Sequence, residues 1–584
     1  MNQMNTHKPI SMARLLLAPM MALFLAVAAH ATTPGITGGT STPVFNLTAQ
    51  TAFLNQPDGN SVYAWGYGCN GAPSGFLPNA IFAFAPACPT MQVPGPTLIV
   101  NEGDTVTVNL LNGLPTPAGN TSILFPDFQL TSSCAAQTAA QQGLLTCEAV
   151  PGGTVSYTFL ASTPGTHAYY SGTQGDLQVE MGLFGAIIVL PATVPANCDA
   201  GLAAQNFRAQ AFWGEQDFRL SHAAYDHSKT CYDREYLFQW SEIDPTIHRL
   251  TLAQVTAKNG CTAGAPGCSL EVPTEPYHPS YFLINGRSMP DLMDPNYAAE
   301  YPHQPYNGNP HMHPGEQVLI RTIGQGRWQH PFHEHANHVR ILARDGNLIL
   351  SATDPNGLAG LLMFNTDTTP GQAFDGIFYW SGRGLNWDPY GHTAHSFTGD
   401  TLAEPGCTAD ANGYNTGFAA SDVNFTGAPV VAVTHAVNYY EWCQDHNKPV
   451  EAAPFGDVTA GGPATLPNPN IFTNGPWYGG TPYLGPDATL RASTTLRPTA
   501  GAGSSNGCVT GTTVITAPTG TNPSPNCSPL QPANVQANPA NERGFAFMWH
   551  SHNEREITTN NVFPGGMLMM MLVDSREFLI DESL

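Results

Sequence analysis

The chain has 584 residues, enough for two to four ordinary domains with sizeable cores. Asp and Glu total 43 against 20 Lys and Arg, a formal net charge of −23, and a surface of that sign repels nucleic acid and anionic lipid, so neither is an expected partner. Only 11% of residues are charged while Gly (58) and Pro (51) abound, a composition that favours short strands and turns over long helices and predicts an all-β fold.

At the N-terminus, Lys8 and Arg14 accompany an apolar run from Leu15 to Ala28, and Ala29-His30-Ala31 forms an A-x-A site. Residues 1–31 therefore read as a signal peptide cut after Ala31, which makes the mature protein secreted or periplasmic. No later segment has the roughly 18 unbroken apolar residues of a spanning helix, so no membrane span is expected. The twelve cysteines all lie in the mature part. They fall into pairs close in sequence: Cys69/Cys88, Cys134/Cys147, Cys198/Cys231, Cys261/Cys268, Cys407/Cys443 and Cys508/Cys527. An even number in an exported chain implies disulfides, with connectivity left open. None stands in a C-x-x-C or beside clustered histidines, which argues against thiolate metal ligation.

From 40 to 195 the pattern is that of a first β unit. Pro94-Gly95-Pro96-Thr97-Leu98-Ile99-Val100 leads through a turn to Glu102–Leu110, which alternates apolar and polar residues as a half-buried strand does. Pro164–Tyr170 and Val179–Val189 supply later strands of the same unit. Further on come Phe282–Arg287, Pro314–Arg321, the run His330-Pro331-Phe332-His333-Glu334-His335, Ala343–Gly346 and Pro370–Asp375. The last strand carries Trp549-His550-Ser551-His552, followed by Gly565-Gly566-Met567-Leu568.

Two of these segments contain a His-x-His pair, and on a strand residues i and i+2 share a face. If the strands are neighbours, His333, His335, His550 and His552 converge. Four neutral imidazoles suit copper or zinc far better than magnesium or calcium.

In this order, the stretches resemble the multicopper oxidase family. Pro94–Leu98, Gly103–Val106 and Gly182–Val189 resemble its first cupredoxin domain, while 282–287, 314–321, 330–335, 343–346 and 370–375 resemble a later one. The 549–552 segment resembles the copper-binding strand that closes such a domain. The resemblance implies tandem cupredoxin-like Greek-key β-sandwich domains: a first at 40–195, and a second at 200–383 plus 544–584. Residues 384–543, rich in Gly, Pro, Asn and Thr, are not required by the family pattern, and a structureless loop of that length is unusual. They read as an insertion tied down by Cys407/Cys443 and Cys508/Cys527, with strand content around Val430 to Tyr440, or as a degenerate third domain.

Departures from the family pattern limit the chemistry. The family pairs a type 1 copper, held by one Cys and two His, with a trinuclear cluster held by four His-x-His pairs. Leu124-Phe125-Pro126 and Tyr170-Ser171-Gly172 stand where the two first-domain pairs belong. Ser551 stands at the type 1 cysteine and Glu556 at its downstream histidine, leaving His330 of that set. Four-electron reduction of oxygen by the family's mechanism is not expected of this chain. The surviving expectation is copper, one or two ions per chain with zinc as the alternative, held by His333, His335, His550 and His552, with His330 as a further ligand. Glu334, Glu554 or Glu556 would orient the rings. The implied function is an exported copper-binding protein of the multicopper oxidase family, either an oxidoreductase acting on a metal ion or small molecule at a non-standard His-rich site, or a sequestration or delivery protein without turnover, or a scaffold with a vestigial site. The catalytic residues, the substrate and the oligomeric state are not legible.

Among the other histidines, His303, His311, His313 and His338 crowd the same stretch, and His311-Met312-His313 reads either as a second soft-metal binder at the surface or as a polar loop. His392, His395, His435 and His446 in the insertion, and His167, read as structural. Met567 to Met571, broken only by Leu568, reads as a buried closing strand, although methionine also ligates Cu(I).

Overall fold

The computed structural model describes residues 33–78, 88–133, 144–196, 198, 217–312, 316–354, 356–380, 481–483, 544–574, 580 and 582. The expected signal peptide, almost all of 384–543, Cys134, Cys407, Cys443, Cys508, Cys527, His313, His392, His395, His435 and His446 lie outside those residues.

The all-β expectation holds, with strands gathered into four sheets. One joins Gly75–Leu77, Gly35–Thr37, Leu98–Asn101, Phe184–Leu190 and Gly165–Tyr170 in that spatial order; a second joins Ser61–Cys69, Val44–Asn55, Thr105–Asn112, Thr154–Leu160 and Leu130–Ser132. These two sheets pack face to face around one apolar core that includes Trp65, Leu98, Val108, Tyr157 and Ile187. Alternation drives this arrangement: in Thr105–Asn112 the side chains of Val106, Val108 and Leu110 are buried while those between them face outward.

The other two sheets form a second sandwich. One runs Tyr281–Ile284, Arg234–Ile243, Gln317–Gly324, Ala373–Tyr379, Val339–Arg344 and Asn347–Leu348; the other runs His311–Met312, Leu568–Asp574, Gly544–Ser551, His330–Glu334 and Asn365–Thr368. A short strand at Thr481–Tyr483, inside the expected insertion, pairs with Gly544–Ser551. Phe238, Trp240, Phe332 and Trp549 fill the space between the sheets, with Met569 and Met571 from the Leu568–Asp574 strand and Met567 just before it.

The two sandwiches meet along apolar surface. Val62, Val93 and Phe184 pack with Ile243, Tyr281 and Leu283, and Ile99, Ala168 and Ile188 pack with Leu237, Ile323 and Ala373. Buried polar links cross the same boundary, among them Thr166 Oγ1 donating to Asp375 Oδ1 at 2.6 Å.

A thirteen-residue helix, Pro245–Ala257, was not among the sequence expectations. Its signal is local: Asp244 accepts from the Thr246 N–H at 2.8 Å as N-cap, and Pro245 takes the first helical position, where its missing N–H costs nothing. Disulfides link Cys69 to Cys88, Cys198 to Cys231 and Cys261 to Cys268, each joining cysteines close in sequence. No helix among the described residues is long and apolar enough to cross a membrane.

Candidate metal centre

The His330–Glu334 strand lies between Asn365–Thr368 and Gly544–Ser551, antiparallel to both. Its burial alternates, so His330, Phe332 and Glu334 point into the sandwich while His333 faces the other way. The register sets His333 directly opposite His550. Ring nitrogens of His333, His335 and His550 consequently come within 4.8 Å of one another, and Nε2 of His335 and His550 are 3.3 Å apart. His552 adjoins this trio without joining it: its exposed ring is centred 4.7 Å from that of His333 and 5.8 Å from that of His550.

The donor set fits a transition-metal ion. Two nitrogens bound to one tetrahedral ion at about 2.0–2.1 Å lie roughly 3.3–3.4 Å apart, the spacing that His335 and His550 already show. Nδ1 of His333 is buried without a hydrogen-bond partner, a costly state for a free imidazole and one that a ligand relieves. Desolvation and then the neighbouring His335 push the His333 pKa down to about 4, with the Phe364 backbone pulling the other way. Burial followed by the adjacent rings also lowers His335 and His550. All three therefore stay neutral at ordinary pH, the form that binds metal.

His330 is not brought to this trio. It sits on the opposite face of its strand, fully buried, with Nδ1 2.9 Å from Glu556 Oε2 and Nε2 2.9 Å from Glu242 Oε2. Burial alone would lower its pKa, but its two carboxylate partners win and raise it to about 9. A doubly hydrogen-bonded imidazolium has no lone pair for a metal, so the expectation of His330 as a ligand is corrected. Ser551 also donates to Glu556 Oε2, and Asn553 Nδ2 donates to Oε1 at 2.8 Å. The three residues at the expected type 1 copper positions thus meet, but they meet in hydrogen bonds to one another.

Glu242 was not singled out from the sequence, because in the buried run Arg234–Ile243 nothing marks one acid as special. The acids expected to orient the metal-binding rings do other work. Glu334 faces the core, where burial raises its pKa well above the usual range. Glu556 serves His330, and Glu554 is exposed on a short 3-10 turn. The ring of His550 is instead placed by Nδ1 against the Ser551 carbonyl at 2.6 Å.

The first-domain positions are closed in another way. Leu124 and Tyr170 bridge each other antiparallel, and the buried Phe125 packs against Tyr157, Phe159 and Tyr169. His167 lies 2.8 Å from Asp127 Oδ2 and 2.9 Å from the Thr163 carbonyl, a satisfied structural histidine as expected. His311 is buried in a strand paired with Leu572, which corrects the reading of His311-Met312-His313 as a surface metal binder at that residue. His303 bonds the Met91 carbonyl through Nδ1 at 2.9 Å.

Comparison with known proteins finds similarity over part of the chain. Residues 90–193 match the family model for multicopper oxidases, a span that excludes the histidine trio. The copper-containing nitrite reductase of Pseudomonas chlororaphis is 38% identical over 102 residues, 17% of this chain and 25% of the relative. The L-ascorbate oxidase of Brassica rapa subsp. pekinensis is 38% identical over 98 residues, 17% of this chain and 16% of the relative. Laccase-3 of Botryotinia fuckeliana is 33% identical over 113 residues, 19% of this chain and 23% of the relative. The chain thus spans a quarter or less of the length of these three relatives. Among solved structures, the blue copper oxidase of Nitrosomonas europaea is 18% identical with a TM-score of 0.35, covering 57% of this chain and 74% of its own, a superposition too loose to bear on the site.

Proposed function

We propose that this chain, which matches the multicopper oxidase family over residues 90–193, is an exported copper-binding protein whose copper is held by His333, His335 and His550, with His552 beside them. The observation that carries this reading is the convergence of three neutral imidazoles on one face of two adjacent strands, one of them with an orphaned buried nitrogen. Imidazole donors bind copper strongly and accept zinc, which makes zinc the competing metal. Export is supported by the N-terminal charge and apolar pattern and by the disulfides among the described residues, which persist in oxidising compartments.

Sequestration or delivery of copper is favoured over the family's oxygen chemistry by the hydrogen-bonded closure of His330, Ser551 and Glu556. Bound copper would supply Lewis-acid and one-electron chemistry at the outer sheet face. A second reading, an oxidoreductase working at these same histidines on a small molecule or metal ion, draws on the names of the nitrite reductase, ascorbate oxidase and laccase relatives.

The test is metal content of the mature protein purified from copper-supplied cells, with oxygen uptake on a phenol and nitrite consumption measured alongside. About one copper per chain, lost in His333→Ala with His550→Ala while the fold survives, supports the binding reading. Turnover that disappears in the same variant supports the oxidoreductase. Full copper content in the double variant would overturn both.

A further inference from the structure

We propose that Met548 completes the His333, His335 and His550 set as a thioether ligand, and that the site so formed takes up cuprous copper. This rests on the copper reading of the same histidines and names the ion's oxidation state and its fourth donor.

The strand register places the sulfur. Phe332 pairs with Ser551, His333 with His550 and Glu334 with Trp549, and the His335 N–H donates to the Met548 carbonyl at 3.2 Å. The next step of the ladder therefore sets His335 opposite Met548. Phe547 and Trp549 are buried in the core, whereas Met548 and His550 are half-buried, so these two share the outer face. His333, His335, His550 and Met548 are then the four corners of a patch two strands wide and two side chains long. Directly opposed residues on such a face have Cβ atoms about 4.5–5.5 Å apart, within easy reach of a methionine with three rotatable bonds.

His552 occupies the far side of the trio. Its backbone N–H bonds the Pro331 carbonyl at 2.8 Å, two residue pairs beyond His333 on the side away from His335, and its ring is exposed. Met548 is the more enclosed neighbour and stands beside both His335 and His550.

Chemistry then selects the ion. All four donors are uncharged, and the trio holds no carboxylate. Zinc sites draw on thiolate, imidazole and carboxylate, while thioethers select Cu(I). The thioethers continue across the sheet, because Met548 pairs on its other side with the half-buried Met570. The alternate residues Met567, Met569 and Met571 are wholly buried and are explained by packing. Met548 and Met570 are the two methionines of these strands left on the outer face, where packing in the core does not account for them.

The experiment is anaerobic competition of the mature protein with a chromophoric Cu(I) chelator, X-ray absorption of the Cu(I)-loaded form, and parallel zinc and Cu(II) titrations. Wild type, Met548→Leu and His550→Ala are compared; Met-to-Leu changes conserve volume, and circular dichroism checks the fold. The expected result is a sulfur scatterer in wild type that vanishes in Met548→Leu, with Cu(I) affinity down about tenfold or more and zinc affinity within about twofold. Cu(I) bound without sulfur, and equally tightly by Met548→Leu, overturns this inference while leaving the copper reading intact. Failure of wild type to bind copper in either oxidation state overturns the copper reading and this inference together.

Discussion

Nε2 of His330 lies 2.9 Å from Oε2 of Glu242, with neither side chain reached by solvent. The other ring nitrogen holds Glu556 at 2.9 Å, so a single imidazolium ties the Arg234–Ile243 strand to the turn after the closing histidines. Its native pKa of about 9 stands above the unfolded value near 6.5. The stabilisation is therefore complete below about pH 6.5 and is lost as pH rises through about 9, on the order of 3 kcal/mol at most. Denaturant unfolding between pH 6.5 and 9.5 checks this. The wild-type midpoint should fall across that window, while His330→Gln starts lower and stays nearly flat. A wild-type midpoint that holds or rises there would show that the bridge carries no charge.

A second prediction concerns Tyr277, whose hydroxyl lies 2.6 Å from Glu180 Oε2 and 3.0 Å from Glu242 Oε1. Glu242 Oε1 also accepts the N–H groups of Arg327 at 2.7 Å and Trp328 at 2.8 Å. One hydroxyl proton cannot serve two carboxylates. Burial raises the pKa of Glu180 against the pull of His248. Tyr277→Phe keeps the ring but takes the hydroxyl partner from the buried Glu180 Oε2, and should cost about 1–3 kcal/mol. Thermal and denaturant unfolding measure the loss. A neutral result would mean that water replaces the hydroxyl and that the two carboxylates do not depend on it.

Much of the fold was legible because its signals are local. Alternation over Thr105–Asn112 and the apolar run Phe184–Leu190 mark strands whatever lies beside them, and the two His-x-His pairs fix a face by parity alone. That these strands are neighbours was only a condition in the sequence, and the register that sets His333 opposite His550 fulfils it. The fate of His330 was hidden for a physical reason. Its role is set by Glu242, 88 residues away, and by Glu556, 226 residues away, and no periodicity encodes such pairs. Glu334 differs: it stands between two metal-binding candidates, and the same strand parity that pairs His333 with His335 turns it into the core, so its place was readable from the spacing.

The third prediction tests how the two sandwiches are held together. Gly286 follows the Tyr281–Ile284 strand with φ +82°, and a Cβ there would stand 2.1 Å from the Val93 carbonyl oxygen of the first sandwich. That atom is backbone, and Val93 is itself buried in the apolar seam with Phe184 and Leu283, so it cannot move aside cheaply. Gly286→Ala adds left-handed backbone strain of about 1–2 kcal/mol to this clash and should destabilise by roughly 3–5 kcal/mol in all. Gly59 is the control: its φ is +84°, but nothing lies within 4 Å of the added carbon, so Gly59→Ala should cost only the strain, about 1–2 kcal/mol. Unfolding followed by tryptophan fluorescence separates the two. If Gly286→Ala costs no more than Gly59→Ala, the contact with Val93 is not a fixed part of the seam.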